Sequence, residues 1–180
     1  MAPVRTVEKR PMADRERLLR ELYEAHALSA ARLAYVLTGT RETAEDLVQE
    51  AFIRTFDRLE LLREQRAFPG YLRVTIVNLA RAHFRRLRIE RLSLRRQATL
   101  DRTPGGEPPR IDERDRLWRA LQGLPYRQRA ALVLRYYEDL SERDTAELLG
   151  ITLPALKGLV ARGTKALRAD LEGTKGEPTP

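Results

Sequence analysis

The residues best suited to do chemistry in this sequence are arginines, and they are concentrated in one stretch. Between Tyr71 and Gln97 there are eight arginines and one glutamate, a net charge of +7 when the whole chain of 180 residues carries +8. A guanidinium pairs with phosphate oxygens through two parallel hydrogen bonds, and each phosphate that it neutralises releases counterions. The stretch therefore indicates a surface that binds a polyanion. The alternative is a solvated helix face, although such faces usually mix both signs of charge.

A second basic segment lies near the C-terminal end of the chain. From Leu153 to Arg168 the sequence has four cations and no acid. Ala146, Gly150 and Leu156 have the spacing of a helix-turn-helix, in which a small residue lets two helices cross, glycine forms the turn and a branched residue anchors the second helix. The second helix would then enter the major groove of DNA. An αα-hairpin with a glycine turn could imitate this pattern, although the absence of acids favours DNA binding.

Helices must position these basic segments, because apolar residues recur every three or four positions along most of the chain. The first half predicts three helices, over 18–36, 41–62 and 71–96. Gly39 should end the first, Thr40 should cap the second, and Pro69 and Gly70 mark the boundary before the third. No stretch alternates like a β-strand for more than a few residues, so the predicted fold class is all-α.

The second half of the chain predicts shorter helices that lead to the basic segment. A helical pattern breaks at Pro125 and resumes after it. Ser141 opens a short helix with a capping-box pattern, and Gly150 suits the left-handed conformation that ends a helix. Thr152 can cap the final helix, over 153–171.

The stretch between the two halves can continue neither a helix nor a strand. Five of the 14 residues from Thr99 to Asp112 are proline or glycine. We therefore predict two helical domains joined by a flexible linker. The predicted bounds are a disordered N-terminal tail (1–13), the first domain (14–96), the linker (97–112), the second domain (113–172) and a disordered C-terminal tail (173–180).

The composition argues against several classes of protein. The chain has no cysteine and only two histidines, so we expect no disulfide, no thiol nucleophile and no metal site. It also lacks a glycine-rich phosphate loop and a nucleophile motif, so we expect no cofactor, no small-molecule substrate and no enzyme activity of its own. No apolar run is long enough to span a membrane and the N-terminus is charged, which predicts a cytoplasmic protein.

The residues around both basic segments resemble those of a known family. Residues 124–167 resemble region 4 of a bacterial sigma factor of the extracytoplasmic-function (ECF) group, in the Leu-Pro start, the Glu-Asp-Leu-Ser stretch at 138–141 and the Leu-Gly-Ile-Thr turn. Residues 46–59 resemble region 2.2, and residues 67–87 resemble regions 2.3 and 2.4. The resemblance covers about residues 18–170, with both domains in the family's order.

This resemblance implies an alternative sigma factor that binds core RNA polymerase and directs it to promoters. The first domain would melt the minus-ten element and the second would recognise the minus-thirty-five element. The implied partners are promoter DNA, the clamp helices of the largest polymerase subunit, the polymerase flap and, in many members, an anti-sigma factor. The implied polymerase-binding residues are Asp46, Gln49, Glu50 and Arg54. Without the family, these four would simply make an amphipathic helix soluble.

The resemblance also implies two sets of DNA-binding residues. For the minus-ten element they are Phe68, Tyr71, Asn78, Arg81, Arg85, Arg86 and Arg88. For the minus-thirty-five element they are Ala155, Lys157, Gly158, Ala161, Arg162 and Lys165. Core packing remains an equal alternative for Phe68 and Tyr71, and a local polar contact remains one for Asn78. Gly158 and Leu159 stand where the family often has serine and a second cation. We therefore expect little direct base readout, with Lys157, Arg162 and Lys165 positioning the helix on phosphates.

Two other functions stay open at this point. One is a helix-turn-helix regulator that binds an operator without polymerase. The other is an adaptor that binds polymerase through the acidic segment 41–60 and RNA through the basic arm. Neither alternative explains both halves of the chain. The promoter sequence, the inducing signal and the oligomeric state cannot be derived from the sequence.

Overall fold

A computed structural model describes residues 12–62, 65–97 and 113–173, and within these ranges every regular element is a helix. The predicted all-α fold class is thereby confirmed. The helices are α1 (Met12–Thr38), α2 (Arg41–Leu62), α3 (Phe68–Gln97), α4 (Glu113–Gly123), α5 (Tyr126–Leu132), α6 (Glu142–Leu149) and α7 (Leu153–Gly173). The predicted linker and tails lie outside the described residues, apart from a few residues at their edges, and their bounds stay a prediction.

The chain divides into two compact units, Met1–Ala80 and Arg81–Pro180, so that the boundary lies within α3. In the first unit α1 packs against α2, and Gly39, at a φ of 88°, makes the turn between them. A positive φ costs little for glycine because it has no Cβ. The core of this unit contains Leu37, Ala51, Phe68 and Ile76, each at most 1% exposed.

Helix α3 begins three residues earlier than predicted. The sequence placed its start at Tyr71, after Pro69 and Gly70, whereas the helix begins at Phe68, directly after a single 3₁₀ turn, Gln65–Ala67. Proline is accepted in the first turn of a helix because its missing N–H has no intrahelical partner there. The Pro-Gly pair therefore lies inside the first turn and does not form the boundary.

In the second unit α4, α5, α6 and α7 surround a core whose centre is Leu134 and Leu156, both fully buried. Gly163 of α7 allows a close approach to α5. A Cβ built on Gly163 would lie 3.0 Å from Cδ1 of Leu132, which is closer than side chains normally come. Glycine thus permits this close crossing, and a Cβ there would require the Leu132 side chain to shift.

One element of the second unit is not predictable from helical periodicity. Residues Val133–Tyr137 continue α5 as a π-helical turn, in which the Glu138 N–H donates to the Val133 carbonyl at 3.0 Å. Asp139 follows with a φ of 50°. In a π-helical turn each backbone hydrogen bond spans five residues in place of four, so the turn holds one extra residue. It leaves Tyr136 exposed beside α6 and α7.

The ends of α6 and the start of α7 match the sequence signals. Ser141 accepts a hydrogen bond from the Asp144 N–H at 3.1 Å, and Gly150 ends α6 with a φ of 61°. The Thr152 hydroxyl accepts from the Ala155 N–H at 3.4 Å and so caps α7. These local bonds fix the turn that joins the two helices.

Candidate nucleic-acid and protein interfaces

The basic face of α3 carries exposed arginines. Arg85, Arg86 and Arg88 are all exposed, and none of them makes an ion pair within the part of the chain that the structure describes. Tyr71, Asn78 and Arg85 follow each other at intervals of seven residues, which is about two helical turns, so they share one face. Tyr71 is half-buried and Asn78 is exposed. The arrangement offers one aromatic ring, one amide and several cations along a single helix.

Phe68 has a different position from the other predicted minus-ten residues. It is 0% exposed, and its ring lies 5.6 Å from the ring of Phe52 and 5.8 Å from that of His26, measured between centroids. A side chain without exposed surface cannot meet a base without unfolding its surroundings. The prediction that Phe68 lines a base-binding pocket is therefore corrected, and the alternative of core packing holds for it.

Arg81 also differs from the arginines that follow it. Although it is exposed, its Nη1 donates to the Leu149 carbonyl at 3.3 Å. Nearby, Phe84 stacks on Tyr126 with centroids 5.0 Å apart, and burial raises the pKa of Tyr126 well above its ordinary value. Arg81 thus contributes to the structure of the second unit, whereas Arg85, Arg86 and Arg88 do not.

Arg129 is a buried arginine that the sequence analysis did not single out. It is 3% exposed, and its guanidinium carbon lies 4.8 Å from the centroid of the Phe84 ring. Its Nη1 donates to the Gln122 carbonyl at 3.2 Å, and burial lowers its pKa. Cation–π contacts and hydrogen bonds offset part of the cost of burying this charge. Arg129 therefore has a structural role. Its burial could not be predicted from its residue type, because arginine is mostly exposed in proteins.

On α2 the four predicted polymerase-binding residues lie at the surface. Asp46, Gln49 and Arg54 are exposed, and Glu50 is half-buried and paired with Arg54. The neighbouring acid Glu45 points about 100° away around the helix. It pairs with Arg41, with 2.6 Å between Oε1 and Nε. Glu45 thus lies at the edge of this surface, beside Gln49, whereas Asp46 lies beside Glu50.

An apolar groove adjoins this face of α2. It has a volume of about 830 Å³ and runs between α1 and α2, with Gln49 among its lining residues. Its apolar lining includes two exposed side chains, Tyr23 (49% exposed) and Ile53 (65% exposed). Exposed apolar patches beside polar residues often mark protein contacts. Neither Tyr23 nor Ile53 was among the predicted site residues: Tyr23 belongs to the apolar pattern of α1, and Ile53 lies outside that of α2.

Most of the predicted minus-thirty-five residues lie on the outer side of α7. Ala155, Lys157, Ala161, Arg162 and Lys165 are exposed, and Gly158 is half-buried. A Cβ built on Gly158 would lie 3.2 Å from Nη1 of Arg162, so the arginine side chain folds back over the glycine. The glycine thereby leaves room for this arginine on the helix surface.

Lys157 does not stand alone on this surface. Its Nζ lies 3.5 Å from Oε2 of Glu142, the first residue of α6. Both residues line a shallow depression of about 430 Å³, together with Tyr136 and Lys165. This ion pair between α6 and α7 was not predicted, because it joins residues that are 15 positions apart in the sequence.

The described residues contain no group of three or more His, Cys, Asp or Glu side chains that could hold a metal ion. None of the described helices is long and apolar enough to cross a membrane.

A helical protein with a helix-turn-helix and a separate cationic helix belongs to the class of DNA-binding proteins that act in transcription. The family models agree with this class. Residues 22–89 match the model of sigma-70 region 2, and residues 114–167 match that of sigma-70 region 4.

The chain is also similar to individual sigma factors. The chain is 36% identical over 157 residues to the ECF RNA polymerase sigma factor SigE of Mycolicibacterium smegmatis, with 82% of this chain and 59% of that protein covered. It is 30% identical to the RNA polymerase sigma-E factor of Streptomyces antibioticus, with 72% of this chain and 71% of that protein covered.

A solved structure of the sigma factor RpoE from Bartonella quintana, in complex with the anti-sigma factor NepR, matches with a TM-score of 0.60 and 19% identity. The match covers 89% of this chain and 95% of that one. At this level of identity the likeness shows the fold.

The chain therefore belongs to the sigma-70 family of RNA polymerase sigma factors, within the ECF group. It is an alternative sigma factor, which binds core RNA polymerase and directs promoter-specific transcription. The predicted family and function are confirmed, and the operator-binding regulator and the adaptor are set aside.

Proposed function

We propose that three surfaces of this sigma factor divide the work of initiation. The exposed stripe of α2 binds the clamp helices of polymerase, the cationic face of α3 holds and opens the minus-ten element, and α7 recognises the minus-thirty-five element. One observation carries this proposal: within residues 22–89, which match region 2, α2 exposes a mixed polar surface with Asp46 and Gln49, and α3 exposes Arg85, Arg86 and Arg88.

The polymerase contact rests on Asp46, Gln49 and the groove beside them. Asp46 and Gln49 are three residues apart, and Ile53 lies four further on, so the three share one face of α2. Glu50 and its partner Arg54 extend this face. An apolar centre with a polar rim is the usual composition of a protein interface. Ile53 and Tyr23 supply the apolar part, which the sequence analysis had not included.

The minus-ten contact rests on the face that Tyr71, Asn78 and Arg85 share. Opening DNA costs unstacking energy, which stacking on an aromatic ring and contacts to the displaced strand can offset. Tyr71 supplies a ring, Asn78 supplies an amide that can bond a base edge, and Arg85 with Arg86 and Arg88 binds phosphates. Phe68 is left out of this set because it is buried.

The minus-thirty-five contact rests on α7. In a helix-turn-helix the second helix lies in the major groove, and residues near its N-terminus reach the base edges. Here those residues are Ala155, Lys157 and Gly158, and only Lys157 among them can donate to a base. Arg162 and Lys165 lie further along the helix, where they would position it on phosphates.

The polymerase surface can be tested with two exposed acids on different helices. Asp46→Arg should lower the affinity for core polymerase tenfold or more, because it reverses a charge within the interface. Glu147→Arg makes the same change of charge on α6, outside this surface, and should alter the affinity less than twofold. Both sites are exposed, so thermal unfolding should be similar. Equal losses of affinity for the two variants would contradict the assignment of this surface.

Three further features complete the proposal. The chain acts by binding rather than by catalysis of its own, since all three surfaces contact macromolecules. It works in the cytoplasm, where polymerase and promoters are. An anti-sigma factor is its regulatory partner, as NepR is for RpoE in the similar solved structure.

A further inference from the structure

The acid Glu142 lies within the surface that is proposed to bind DNA. It is the first residue of α6, and its Oε2 is 3.5 Å from Nζ of Lys157, which lies one turn into α7. The side chains of Lys157 and Glu142 are 63% and 46% exposed. An exposed ion pair of this kind contributes little to stability, so stability does not explain its presence.

The carboxylate of Glu142 lies among cations, where it weakens binding to DNA phosphates. Among the described residues that line the depression beside α7, Lys157, Lys165 and Arg168 are cations and Glu142 is the one acid. Its carboxylate repels phosphates and neutralises one of the cations that would otherwise attract them. If this surface only had to bind phosphates, an acid at this position would be unfavourable.

The ion pair has a specific effect on Lys157. A lysine is a flexible point charge, which can turn toward whichever phosphate is nearest. In a helix-turn-helix the first helix crosses the DNA backbone while the second enters the groove, so the start of α6, with Glu142, would lie near the backbone when α7 is docked. A carboxylate there holds the ammonium away from phosphates and directs it toward the base edges.

We propose that Glu142 is a specificity-determining residue, which restricts Lys157 to base readout and limits its binding to phosphate. This inference rests on the proposed function of α7. Without Glu142, Lys157 gains a phosphate contact that is the same on every DNA sequence. Affinity should therefore rise on all sequences while discrimination between sequences falls.

A rival explanation is that Glu142 only stabilises α6. Acids in the first turn of a helix interact favourably with its dipole, and Asp144 lies in the same turn. That role predicts a change in thermal unfolding and no change in DNA discrimination. Glu147 supplies a matched control, because it is an exposed acid on the same helix for which the structure gives no ion pair in its described part.

The test uses holoenzyme assembled from core polymerase and the full chain. Duplexes selected in vitro for binding to the wild-type holoenzyme are compared with the same duplexes carrying a scrambled minus-thirty-five element, over a range of salt concentrations. Glu142→Gln should bind the scrambled duplexes several-fold more tightly and lower the ratio of selected to scrambled affinity about tenfold. The slope of log affinity against log salt should steepen by about 0.9, the value for one phosphate.

The controls separate the possible results. Glu147→Gln should stay within twofold of wild type in both affinity and ratio, and Lys157→Gln combined with Glu142→Gln should abolish the gain on scrambled DNA. Identical behaviour of Glu142→Gln and Glu147→Gln would overturn this inference and leave the role of α7 intact. A wild-type holoenzyme that does not distinguish selected from scrambled minus-thirty-five elements would instead overturn the proposed function of α7.

Discussion

The two basic helices, α3 and α7, present their charges in different ways. On α3, Arg85, Arg86 and Arg88 are exposed without an ion pair in the described part of the chain. On α7, Lys157 is paired with Glu142 and the Arg162 side chain folds over Gly158. These three arginines of α3 are unrestrained, whereas Lys157 and Arg162 of α7 are each held against a neighbouring residue. We infer that α3 binds mainly through the number of its charges and α7 through the placement of individual side chains.

The largest expected effect tests which residues of α3 are structural. Phe68→Ala removes a fully buried ring and should lower the free energy of unfolding by about 3–5 kcal/mol. Tyr71→Ala removes a half-buried ring and should cost less stability, while it should slow promoter opening. Urea denaturation and the rate of opening, measured on both variants, separate the two roles. A Phe68→Ala protein with wild-type stability and a specific loss of promoter opening would contradict the core role of Phe68.

The next effect concerns the number of charges on α3. Changing Arg85, Arg86 and Arg88 together to alanine should remove up to three phosphate contacts. The slope of log affinity against log salt should then become shallower by about 2.7 for duplex DNA, at about 0.9 per contact. Promoter opening should weaken, while the affinity for core polymerase should stay nearly unchanged.

The matched control removes three exposed arginines of α1, namely Arg17, Arg20 and Arg32. It lowers the net charge of the chain equally but should leave the salt slope close to that of wild type. Equal slopes for the two triple variants would mean that net charge, and not the face of α3, determines DNA binding.

A smaller effect is expected at the turn before α7. Gly150 has a φ of 61°, so Gly150→Ala should lower stability by about 1–2 kcal/mol through backbone strain. There is room for the added methyl group, because its nearest neighbour would be Nη1 of Arg81 at 3.8 Å.

Gly123 provides the comparison, since a Cβ there would have no neighbour within 4 Å and the residue has no positive φ. Gly123→Ala should be neutral or slightly stabilising, because alanine reduces the entropy of the unfolded chain. Thermal unfolding of both variants measures the difference. A similar loss for both would argue against a special backbone conformation at Gly150.

The smallest effect is a dependence on pH. Burial, and secondarily the charge of Arg86, lower the pKa of His83 below its ordinary value of 6.5. Below that value the unfolded chain therefore binds more protons than the folded chain, and stability should fall as the pH decreases from 7 through 6.5. His83→Gln should remove this part of the pH dependence. Urea denaturation at several pH values measures the free energy of unfolding. The same pH dependence in wild type and His83→Gln would contradict a lowered pKa of His83.

The sequence predicted well what local signals determine. The ends of α6 follow from Ser141 and Gly150, and the start of α7 follows from Thr152, because caps depend on a few adjacent residues. The exposed polar positions of α2 and α7 were also predictable, since helical periodicity separates them from buried ones, whereas the exposed Ile53 of α2 was not. The match of both regions to the family then fixed the function.

What the sequence could not predict depends on contacts between distant residues. Phe68 could be a core residue or a base-binding one until its contacts with Phe52 and His26 were known. The Lys157–Glu142 pair joins residues of two helices, and the hydrogen bond of Arg81 reaches the carbonyl of Leu149. Neither type nor spacing encodes such pairs, because they arise only when the helices pack.

Transcription in a purified system tests the central claim most directly. The full chain is added to core polymerase that lacks any other sigma factor, on a panel of promoter templates and on promoter-free DNA. We expect transcripts with defined start sites on a subset of the promoters and none without the chain, with loss of these transcripts in the Asp46→Arg variant. Polymerase that neither binds the chain nor initiates on any template would contradict the account.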